Sequence, residues 1–422
     1  MKDPYAFYQH LRERYGDPVM IPTMNGTLVA TGDPDGIREI FSARPDTFGH
    51  WGADALTPLL GEQSLLCVEG AVHMSRRKLM MPVFHGEQMH AYGGLFKSIT
   101  RRHADALEEG KPFLMQDLAA WITLDAIIQA IFGVLDPAAS SRWASLLREL
   151  IDRASPAAIF FRILRQELGG ISPWAKFLAV RAEVDAMMAT MIAERRQSGL
   201  GGQDILTMLI QARFDDDTVM TDGELRDQLT TLLVAGHETT SSVLAWGFYW
   251  LEKHPDVRAT LVDGIRALGP DPEPMALSRL PFLDAVCNET MRLNPIVPDV
   301  ARQLLKPFSL KGYELPAGIA VAVSTILAHT NPETYVDPMA FKPERFLNHT
   351  FSPFEFMPFG GGSRRCVGAA FAMYEMKTVI ATLLCEYDLR LTSDREVVAA
   401  RRNITMGPKG GVEMVLAGRA AR

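Results

Sequence analysis

The sequence is poor in cysteine, and its few cysteines are never close neighbours. The 422 residues include four, Cys67, Cys287, Cys366 and Cys385, and no two of them form a C-x-x-C pair. This spacing argues against a disulfide framework and against a structural zinc site. Each cysteine must therefore be interpreted from the residues around it.

Positive charge is also scarce. The formal net charge is -7 at pH 7, whereas a nucleic-acid-binding protein is usually basic along at least one face. Residues 1–16 contain neither the apolar core of a signal peptide nor a stretch long enough to cross a bilayer. We therefore expect a cytoplasmic protein with no nucleic-acid partner and no membrane anchor.

The sequence has no long linker and no internal repeat. Its longest Pro-, Gly- and Ser-rich stretches, residues 198–202 and 269–274, are short and lie between apolar segments. Hydrophobic residues make up 47% of the chain and charged residues 22%, which is typical of a globular protein that can enclose a cofactor. We predict a single domain over residues 1–422.

What the sequence does contain is mostly helical periodicity. Between residues 89 and 253, apolar residues recur at three and four positions. Strand signals lie elsewhere: residues 19–31 contain the hairpin turn Asn25-Gly26, and residues 303–323 alternate around Lys311-Gly312. The pattern predicts a mainly α fold with a minor β-sheet region built from distant segments.

The segment around Cys366 carries the strongest chemical signal, because residues 359–368 read F-G-G-G-S-R-R-C-V-G. Glycines 360–362 permit turns that point amide groups at the sulfur, and the periodicity of residues 367–382 places the sulfur near a helix N-terminus. Both features favour a thiolate, which can hold haem iron. A phosphate-binding loop fits less well because the Walker ending and a third glycine are missing. An inert buried cysteine is the other alternative.

This segment is similar to the F-x-x-G-x-R-x-C-x-G signature of the cytochrome P-450 family at every fixed position: Phe359, Gly362, Arg364, Cys366 and Gly368. The resemblance implies the cytochrome P-450 fold, an α+β fold, of the soluble bacterial type. It also implies haem b (iron protoporphyrin IX) as the cofactor, Cys366 as the iron ligand, and haem contacts from Phe359, Arg364 and Gly368.

A long helix is predicted from the capping box of Thr221 and Glu224 to Lys253, before Pro255. Its centre, residues 235–240, reads A-G-H-E-T-T, where a glycine and two β-branched threonines replace the usual helix formers. Breaks of a local rule are expected at functional sites.

This helix centre has three possible interpretations. A zinc helix of the H-E-x-x-H type lacks a ligand because Ser241 occupies the second histidine position, and a packing notch against a neighbouring helix is the second alternative. The segment resembles the family's A-G-x-[DE]-T-[ST] box, which implies haem contacts from Ala235 and Gly236. By that resemblance Glu238 and Thr239 deliver the protons that O–O cleavage requires.

Charged residues elsewhere also resemble family segments. Glu289 and Arg292 share one helix face at i and i+3, and Arg345 lies in the F-K-P-E-R-F of residues 341–346. The resemblance to the family's E-x-x-R and P-E-R-F segments implies that these three residues form a buried structural triad behind the cysteine loop.

Haem propionates are carboxylates that require cationic partners when they are buried. His73 and Arg77 lie at i and i+4 and resemble the family's H-x-x-x-R helix, while Arg302 and Arg364 match its two later propionate contacts. We expect these four residues to bind the haem carboxylates, whereas a solvated surface histidine is the alternative for His73.

The resemblance implies a monooxygenase that inserts one oxygen atom from O2 into a hydrophobic small molecule, such as a terpenoid, fatty acid, steroid or polyketide, by hydroxylation or epoxidation. The alternatives are a haem-thiolate peroxygenase or isomerase and a non-enzymatic haem sensor. The pair Glu238 and Thr239 argues against the first, and the second would need a filled sixth position on the iron or a signalling domain.

The chain ends soon after Cys366, so we expect no fused reductase. We expect a monomer that receives electrons from NAD(P)H through a ferredoxin or flavodoxin and its reductase. Arg76, Lys78, Arg345 and Arg365 would form a basic patch that docks such an acidic partner, and ordinary solvated charges are the alternative.

By the same resemblance, mostly apolar segments line the substrate pocket: residues 48–66, 159–164, 232–235, 296–300 and 404–406. The predicted pocket residues are Trp51, Phe160, Phe161, Val297 and Met406. Such a pocket suits a hydrophobic substrate, and mutual packing of these residues is the alternative. Arg162 is a candidate for holding a substrate carboxylate, with a solvent-facing arginine as the alternative.

Overall fold

The computed structural model describes residues 3–23, 25–86, 88–133, 136–154, 158, 161–198, 201–402 and 405–420. The chain forms two compact units. Unit 1 comprises Met1–Trp51, Gly93–Ile122 and Thr239–Arg422, and unit 2 comprises Gly52–Tyr92 and Thr123–Glu238. The single domain expected over residues 1–422 remains a prediction.

Helices dominate the described residues, so the prediction of a mainly α fold is confirmed. In chain order the helices are α1 (Pro4–Tyr15), α2 (Pro34–Ser42), α3 (Ala53–Leu60), α4 (Gly70–Met80), α5 (Gln88–Ala104), α6 (Met115–Phe132), α7 (Pro137–Arg153), α8 (Pro173–Ser198), α9 (Ile205–Gln211), α10 (Asp222–Lys253), α11 (Pro255–Arg266), α12 (Pro274–Ser278), α13 (Pro281–Leu293), α14 (Thr325–His329), α15 (Arg345–Asn348) and α16 (Ala369–Glu386). Helices α5, α6 and α10 continue from one unit into the other.

The boundaries of α10 follow from its sequence. The hydroxyl of Thr221 accepts a hydrogen bond from the amide of Glu224 (3.3 Å), and the carboxylate of Glu224 accepts one from the amide of Thr221 (2.9 Å). This reciprocal pair satisfies amides that the first helical turn leaves without partners. At the other end Lys253 is the last helical residue and Pro255 begins α11, so the predicted limits are confirmed.

The strands lie in unit 1. They are β1 (Val19–Thr23), β2 (Gly26–Thr31), β3 (Phe48–His50), β4 (Pro112–Leu114), β5 (Asp299–Leu304), β6 (Phe308–Leu310), β7 (Tyr313–Leu315), β8 (Ala320–Ser324), β9 (Tyr387–Leu391), β10 (Ala399–Arg402), β11 (Thr405–Pro408) and β12 (Glu413–Arg419). The largest sheet has the order β1-β2-β8-β5-β3, which confirms a minor sheet assembled from distant segments.

Tight turns connect two pairs of strands near the predicted positions. The first turn is shifted by one residue, because Gly26 of the predicted Asn25-Gly26 turn already belongs to β2. Thr23 pairs with Gly26 at the end of the β1–β2 hairpin, and Leu310 pairs with Tyr313 at the end of the β6–β7 hairpin. In the second turn Lys311 and Gly312 have φ values of 50° and 82°. Two positive φ values in succession are typical of a type I′ turn, whose twist matches that of the flanking strands.

The central strand β8 is buried on both faces. Successive side chains point to opposite faces, so alternate residues of β8 belong to different apolar clusters. Val321 and Val323 belong to a cluster with Phe41 of α2, whereas Ala320 and Ala322 belong to a cluster with Tyr8 of α1. A central strand covered by helices on both sides reads as a continuous apolar run. The side toward α2 is the side on which β5 presents Arg302, over the Phe41 ring.

Unit 2 has its own buried apolar residues, to which α6, α7 and α8 contribute. Trp143 of α7 stacks on Phe132 with 4.7 Å between the ring centroids, and Phe177, Val184 and Met188 of α8 are buried. Stacked aromatic rings of this kind contribute beyond the area that they bury.

Within the described part of the chain, α6 is one helix with the length and hydropathy of a membrane span. Residues of that helix are 83% buried inside the structure. A core helix of a folded protein passes the same test of length and composition.

Candidate active site

The loop before α16 presents Cys366 close to the start of that helix. The amide of Cys366 donates a hydrogen bond to the carbonyl of Phe359 (2.9 Å), which closes the loop of residues 359–366. Helix α16 begins at Ala369, after Gly368 as its N-cap. A helix N-terminus favours an anion and therefore a thiolate.

The four cysteines differ in their surroundings. Cys366 is exposed, whereas Cys287 is buried and Cys67 and Cys385 are half-buried. Burial raises the pKa of Cys287 to about 12 and also raises the pKa of Cys385. Of these thiols, Cys366 is the one positioned to bind an external group, because a buried thiol is inert.

The glycines of the loop are explained by tight turns and by close packing on α2. Gly360 and Gly362 have φ values of 64° and 63°, which L side chains disfavour. A Cβ atom on Gly361 would overlap the ring of Phe41, and one on Gly362 would lie 2.6 Å from the Phe41 carbonyl oxygen. Helix α2 therefore holds the loop from one side.

Arg302 of β5 is a buried cation beside this loop. Its guanidinium lies over the rings of Phe41 and Phe48, 5.4 and 5.3 Å from their centroids, and Nη2 donates to the carbonyl of Gly361 (3.0 Å). Its Nε atom has no hydrogen-bond partner among the described residues. Burial and the nearby Arg364 lower the pKa of Arg302 to about 10. Two cations held together in this way form a site for an anion.

His50 belongs to the same group, although no sequence motif pointed to it. Arg364 donates from Nη2 to Nε2 of His50 (3.2 Å). His50 ends β3, directly opposite Arg302 in the pairing of β3 with β5. A histidine in a strand of three residues becomes recognisable only when strand pairing places it opposite Arg302.

Glu289, Arg292 and Arg345 are brought together as the family resemblance implies. Arg292 donates to both carboxylate oxygens of Glu289 (2.7 and 2.8 Å), and Nε of Arg345 donates to the same carboxylate (3.0 Å). The side chains of Glu289 and Arg292 are fully buried. Arg292 also donates to the carbonyls of His329 and Pro338 (2.7 Å each), so it joins several loops of unit 1.

The centre of α10 has one open face. Ala235 is exposed, and Glu238 and Thr239 are half-buried, although His237 and Thr240 beside them are buried. On the buried side, a Cβ atom at Gly236 would lie 3.3 Å from Ile127 of α6. Burial lowers the pKa of His237, whose Nδ1 lies 2.9 Å from the Leu233 carbonyl.

Helix α4 in unit 2 carries the other two predicted propionate partners. His73 is 4% exposed, which disfavours the alternative of a solvated surface histidine, and Arg77 is half-buried. One turn of helix separates them, so they share a face. Arg302 and Arg364 lie in unit 1 and His73 and Arg77 in unit 2.

The predicted basic patch is wrong for two of its four members. Arg76 forms an ion pair with Glu224 (2.7 Å) and its side chain is 6% exposed, while Arg345 pairs with Glu289 and is 10% exposed. A buried carboxylate neutralises each of these charges, so neither reaches the surface. Lys78 forms an exposed ion pair with Asp215, and Arg365 is exposed.

The predicted pocket residues have different surroundings. In unit 1, the amide of Met406 donates to the carbonyl of Ile296 (2.8 Å), which brings two of the predicted segments together, and Val297 beside them is 44% exposed. Trp51 packs against the α1 side of the sheet, in agreement with the alternative of mutual packing. Phe161 in unit 2 is 43% exposed. Phe160 and the side chain of Arg162 lie outside the described residues.

A cavity of about 490 Å³ lies beside the cysteine loop in unit 1. Its lining includes residues 358–362, Phe41, Asn288, Arg365 and Met373. Because the loop backbone and α2 form its wall, the cavity is part of the packing behind the loop.

Comparison with known proteins places this geometry in a family. The sequence model of cytochrome P-450 matches residues 1–412. The chain is 33% identical over 412 residues to the putative cytochrome P-450 137 of Mycobacterium tuberculosis, covering 96% of this chain and 84% of that protein. It is 33% identical over 413 residues to the putative cytochrome P-450 135B1 of Mycobacterium bovis, covering 97% and 86%.

Solved structures give the same result. The retinoic acid-bound cyanobacterial CYP120A1 has a TM-score of 0.86 and 25% identity, with 98% of this chain and 94% of that chain covered. The haem domain of cytochrome P-450DA has a TM-score of 0.87 and 23% identity, with coverage of 97% and 92%, and supports the fold.

A mainly helical fold with a closed cysteine loop at the start of a helix defines the haem-thiolate class of proteins. The chain belongs to the cytochrome P-450 family. It is accordingly a monooxygenase that uses haem and O2 and receives electrons from NAD(P)H through partner proteins.

The residues present fit a haem. Cys366 has an exposed thiol, and the adjacent guanidinium of Arg302 has a buried Nε atom without a partner in the described part of the chain. Carboxylates satisfy cations of this kind through charge-assisted hydrogen bonds. Haem carries two of them.

Proposed function

We propose that this protein inserts one oxygen atom from O2 into a C–H bond or an alkene of a hydrophobic small molecule. The observation that carries the proposal is the grouping of Arg302, Arg364 and His50 beside the closed loop of Cys366. Arg302 is the buried cation of this group, and its Nε atom has no partner among the described residues. A buried cation is costly without an anion, and a haem ligated by the neighbouring thiolate would supply it.

In this proposal Cys366 is the iron ligand of haem b, and Phe359 and Gly368 lie against the ring. Arg302, Arg364, His73 and Arg77 hold the carboxylates. When bound, the haem supplies the redox chemistry that activates O2, and a thiolate ligand favours O–O cleavage. Glu289, Arg292 and Arg345 act as a scaffold, which the complete burial of Glu289 and Arg292 and the hydrogen bonds of both arginines to Glu289 support.

We propose that Glu238 and Thr239 supply protons during oxygen activation. The carboxyl group of Glu238 takes protons from solvent, and the hydroxyl of Thr239 passes them on. The support is the open face at the centre of α10, where Ala235 is exposed and both residues are half-buried. The small side chain of the exposed Ala235 leaves room for the haem beside this face. Gly236 remains a proposed haem contact through its backbone, because its Cβ position faces Ile127 of α6.

The proposed substrate is an apolar metabolite of the terpenoid, fatty acid, steroid or polyketide class. Support comes from the adjacency of Met406 and Ile296, with Val297 exposed beside them, because ligand sites are mostly apolar. One solved relative, CYP120A1, is bound to retinoic acid. Trp51 contributes less to this proposal because it packs on the sheet.

We propose a ferredoxin or flavodoxin, with its reductase, as the electron donor, and a monomer in the cytoplasm as the working form. Arg365 is exposed next to Cys366, and an exposed cation steers an acidic partner more than it adds affinity. Carboxylates neutralise Arg76 and Arg345. The positive charge available to attract an acidic partner is therefore smaller than the sequence suggested.

The haem-loaded protein should test the ligand assignment directly. We expect the reduced carbon monoxide complex to absorb at about 450 nm, the signature of a thiolate ligand, and Cys366→Ser to abolish that band. The control Cys385→Ser alters a half-buried thiol of α16 and should retain it. A band at about 420 nm in correctly folded wild-type protein would contradict the assignment.

A second measurement separates the proposed reaction from its alternatives. Spectral titration with apolar metabolites should identify a substrate, and turnover with NAD(P)H, ferredoxin and reductase under ¹⁸O2 should label the product. Product formed from hydrogen peroxide alone, with no label from O2, would favour a peroxygenase, and no product with any substrate that binds would favour a sensor.

A further inference from the structure

In unit 2, the segment that precedes α4 is fastened to the first turns of α10 by polar contacts that the proposed chemistry does not use. The amide of Gln63 donates to the carboxylate of Asp227 (2.9 Å), and the amide of Leu65 donates to the side-chain oxygen of Gln228 (2.9 Å). The side-chain amide of Gln228 donates back to the carbonyl of Gln63. Side chains of α10 therefore both accept hydrogen bonds from the loop backbone and donate one to it.

Two further features bring the same segments into close contact. The hydroxyl groups of Ser64 and Thr231 share a buried hydrogen bond (2.7 Å). Gly61 has a φ of 89°, and a Cβ atom there would overlap the carboxylate of Asp227. We call residues 63–65 together with Asp227, Gln228 and Thr231 the clasp.

Arg76 connects α4 itself to the clasp. Its guanidinium donates to the carbonyl of Gln63 (2.8 Å), to the side-chain oxygen of Gln63, and to Glu224 (2.7 Å). The side chains of Arg76 and Glu224 are 6% and 19% exposed. Removal of one partner from such a pair leaves an uncompensated buried charge, so the pair resists separation.

Glu224 is held in its charged form by two helices. Burial acts to raise its pKa, but hydrogen bonds from Thr221 and Arg76 bring the pKa below its ordinary value. One carboxylate oxygen accepts from the amide of Thr221 (2.9 Å) and the other from Arg76. Glu224 therefore belongs to the capping box of α10 and also forms the ion pair with Arg76 of α4.

Helix geometry gives these contacts a consequence for the proposed site. Residues on a helix turn by about 100° each, so His73 and Arg77 share a face and Arg76 lies on a neighbouring one. Fixing Arg76 against α10 therefore fixes the rotation of α4.

The contacts on α10 follow one face as well. Glu224, Gln228, Thr231, Ala235 and Glu238 recur at three and four positions, which places them on the same side of the helix. Glu238 lies about 10 Å along the helix from Thr231. The clasp and the proposed acid therefore share one face of α10.

We propose that Arg76 and Glu224, with the clasp, are positioning residues that set the face of α4 carrying His73 and Arg77 against the face of α10 carrying Glu238. The inference rests on the proposed function, in which His73 and Arg77 hold haem carboxylates. Arg76 touches neither haem nor substrate in this proposal and acts through α4.

The test measures haem release from the ferric protein to excess apomyoglobin. Residues that orient a cofactor's ligands typically change its affinity by 10- to 100-fold, so we expect Arg76→Gln and Glu224→Gln to release haem ~10-fold faster or more. Arg76→Lys should restore most of the retention. The double variant should be no worse than the poorer single variant, because both lose one interaction.

Two controls separate positioning from general stability. Arg196→Gln removes a more exposed ion pair with Asp222 (2.9 Å), in the first turn of the same α10, and should leave haem release unchanged. Leu209→Ala opens a cavity at a fully buried site in α9 and should lower the Tm without a matching rise in haem release. Equal release rates for Arg76→Gln and Leu209→Ala at equal loss of Tm would overturn the proposal.

Failure of the positioning role and failure of the proposed function give different results. If wild-type protein shows the band at about 450 nm and Arg76→Gln and Glu224→Gln release haem no faster than wild type, the positioning role fails and the function stands. If the wild-type band is missing, the function fails. Should Arg76→Gln not fold, Glu224→Gln carries the test, because the amide can still accept the hydrogen bond from Thr221.

Discussion

At the scale of single residues, the site is recognisable by groups whose ordinary partners are missing. Arg302 is buried, stacked between two aromatic rings and beside a second arginine, and its Nε atom has no partner in the described residues. A fold does not keep such a group for stability, because an unpaired buried cation is destabilising. A carboxylate of an anionic cofactor would supply the missing partner of Arg302.

Thr239 offers a test of the proton supply at the level of one hydroxyl. We expect Thr239→Ala to keep the band at about 450 nm, since the change lies away from Cys366 in sequence and removes no cation. Product should fall by ~10²-fold, the lower range for a lost proton donor. The electrons from NAD(P)H should then leave as hydrogen peroxide, measured as the ratio of peroxide to product.

The neighbouring Thr240 provides the matched control. It is 3% exposed and one position away, so Thr240→Ala removes the same atoms from a buried face of α10. Its ratio of peroxide to product should stay at the wild-type value. Unchanged coupling in Thr239→Ala with the native substrate would contradict the proton-relay role.

At the scale of elements, the cysteine loop depends on its fit against α2. Gly361→Ala would drive a methyl group into the ring of Phe41, and overpacking of this kind costs about 1–3 kcal/mol. We expect a lower Tm and a shift of the reduced carbon monoxide band from about 450 toward about 420 nm, because the displaced loop no longer presents Cys366 correctly.

Gly94→Ala is the control for that substitution. Gly94 lies in α5 with open space at its Cβ position, and alanine is favoured over glycine in a helix by about 1 kcal/mol. The variant should be as stable as wild type or slightly more stable, with an unchanged spectrum. An unchanged spectrum in Gly361→Ala as well would show that the loop tolerates movement against α2.

Local signals in the sequence predicted elements well. Thr221 and Glu224 form the predicted capping box, and the Lys311-Gly312 turn connects β6 and β7. Each of these features is decided within a few residues, by one hydrogen bond or by the sign of φ. Local rules do not predict contacts between distant residues such as Glu289 and Arg345. That contact was predicted from the resemblance of their segments to motifs of the family.

Contacts between distant segments could not be predicted. Arg76 was expected on the surface, yet it pairs with Glu224, which is 148 positions away in the sequence. His50 lies beside Arg364, which is 314 positions away. Neither contact can be recognised from the periodicity or the composition of the sequence, because each contact involves only two side chains. The side chains that position a site are therefore less predictable than those that define it.

At the scale of the whole molecule, two compact units share three helices. The proposed haem partners are divided between the units, with His73 and Arg77 in one and Arg302, Arg364 and Cys366 in the other. Helix α10 carries Glu238 at the end of unit 2 and Thr239 at the start of unit 1. A ligand that binds only the folded state stabilises it by an amount that grows with the logarithm of its affinity, so haem should raise the stability of the folded protein.

Acid should destabilise the molecule through His329, which is fully buried in unit 1. Its Nε2 atom accepts a hydrogen bond from the amide of Met357 (3.1 Å), and burial together with the charge of Arg292 lowers its pKa from 6.5 to about 3. The folded state therefore resists protonation at pH values where the unfolded chain accepts a proton. Stability is complete above the unfolded pKa and is lost as the pH falls below it, by about 1.4 kcal/mol for each pH unit.

The measurement compares the Tm at pH 7.5 and pH 5.5 for wild type, His329→Gln and His10→Gln. His329→Gln should have a lower Tm at pH 7.5, because the buried hydrogen bond is disturbed, and should lose less on acidification than wild type. His10 is exposed on α1, so His10→Gln should retain the wild-type difference between the two pH values. If His329→Gln lost as much Tm as wild type on acidification, the acid sensitivity would have to arise from other groups.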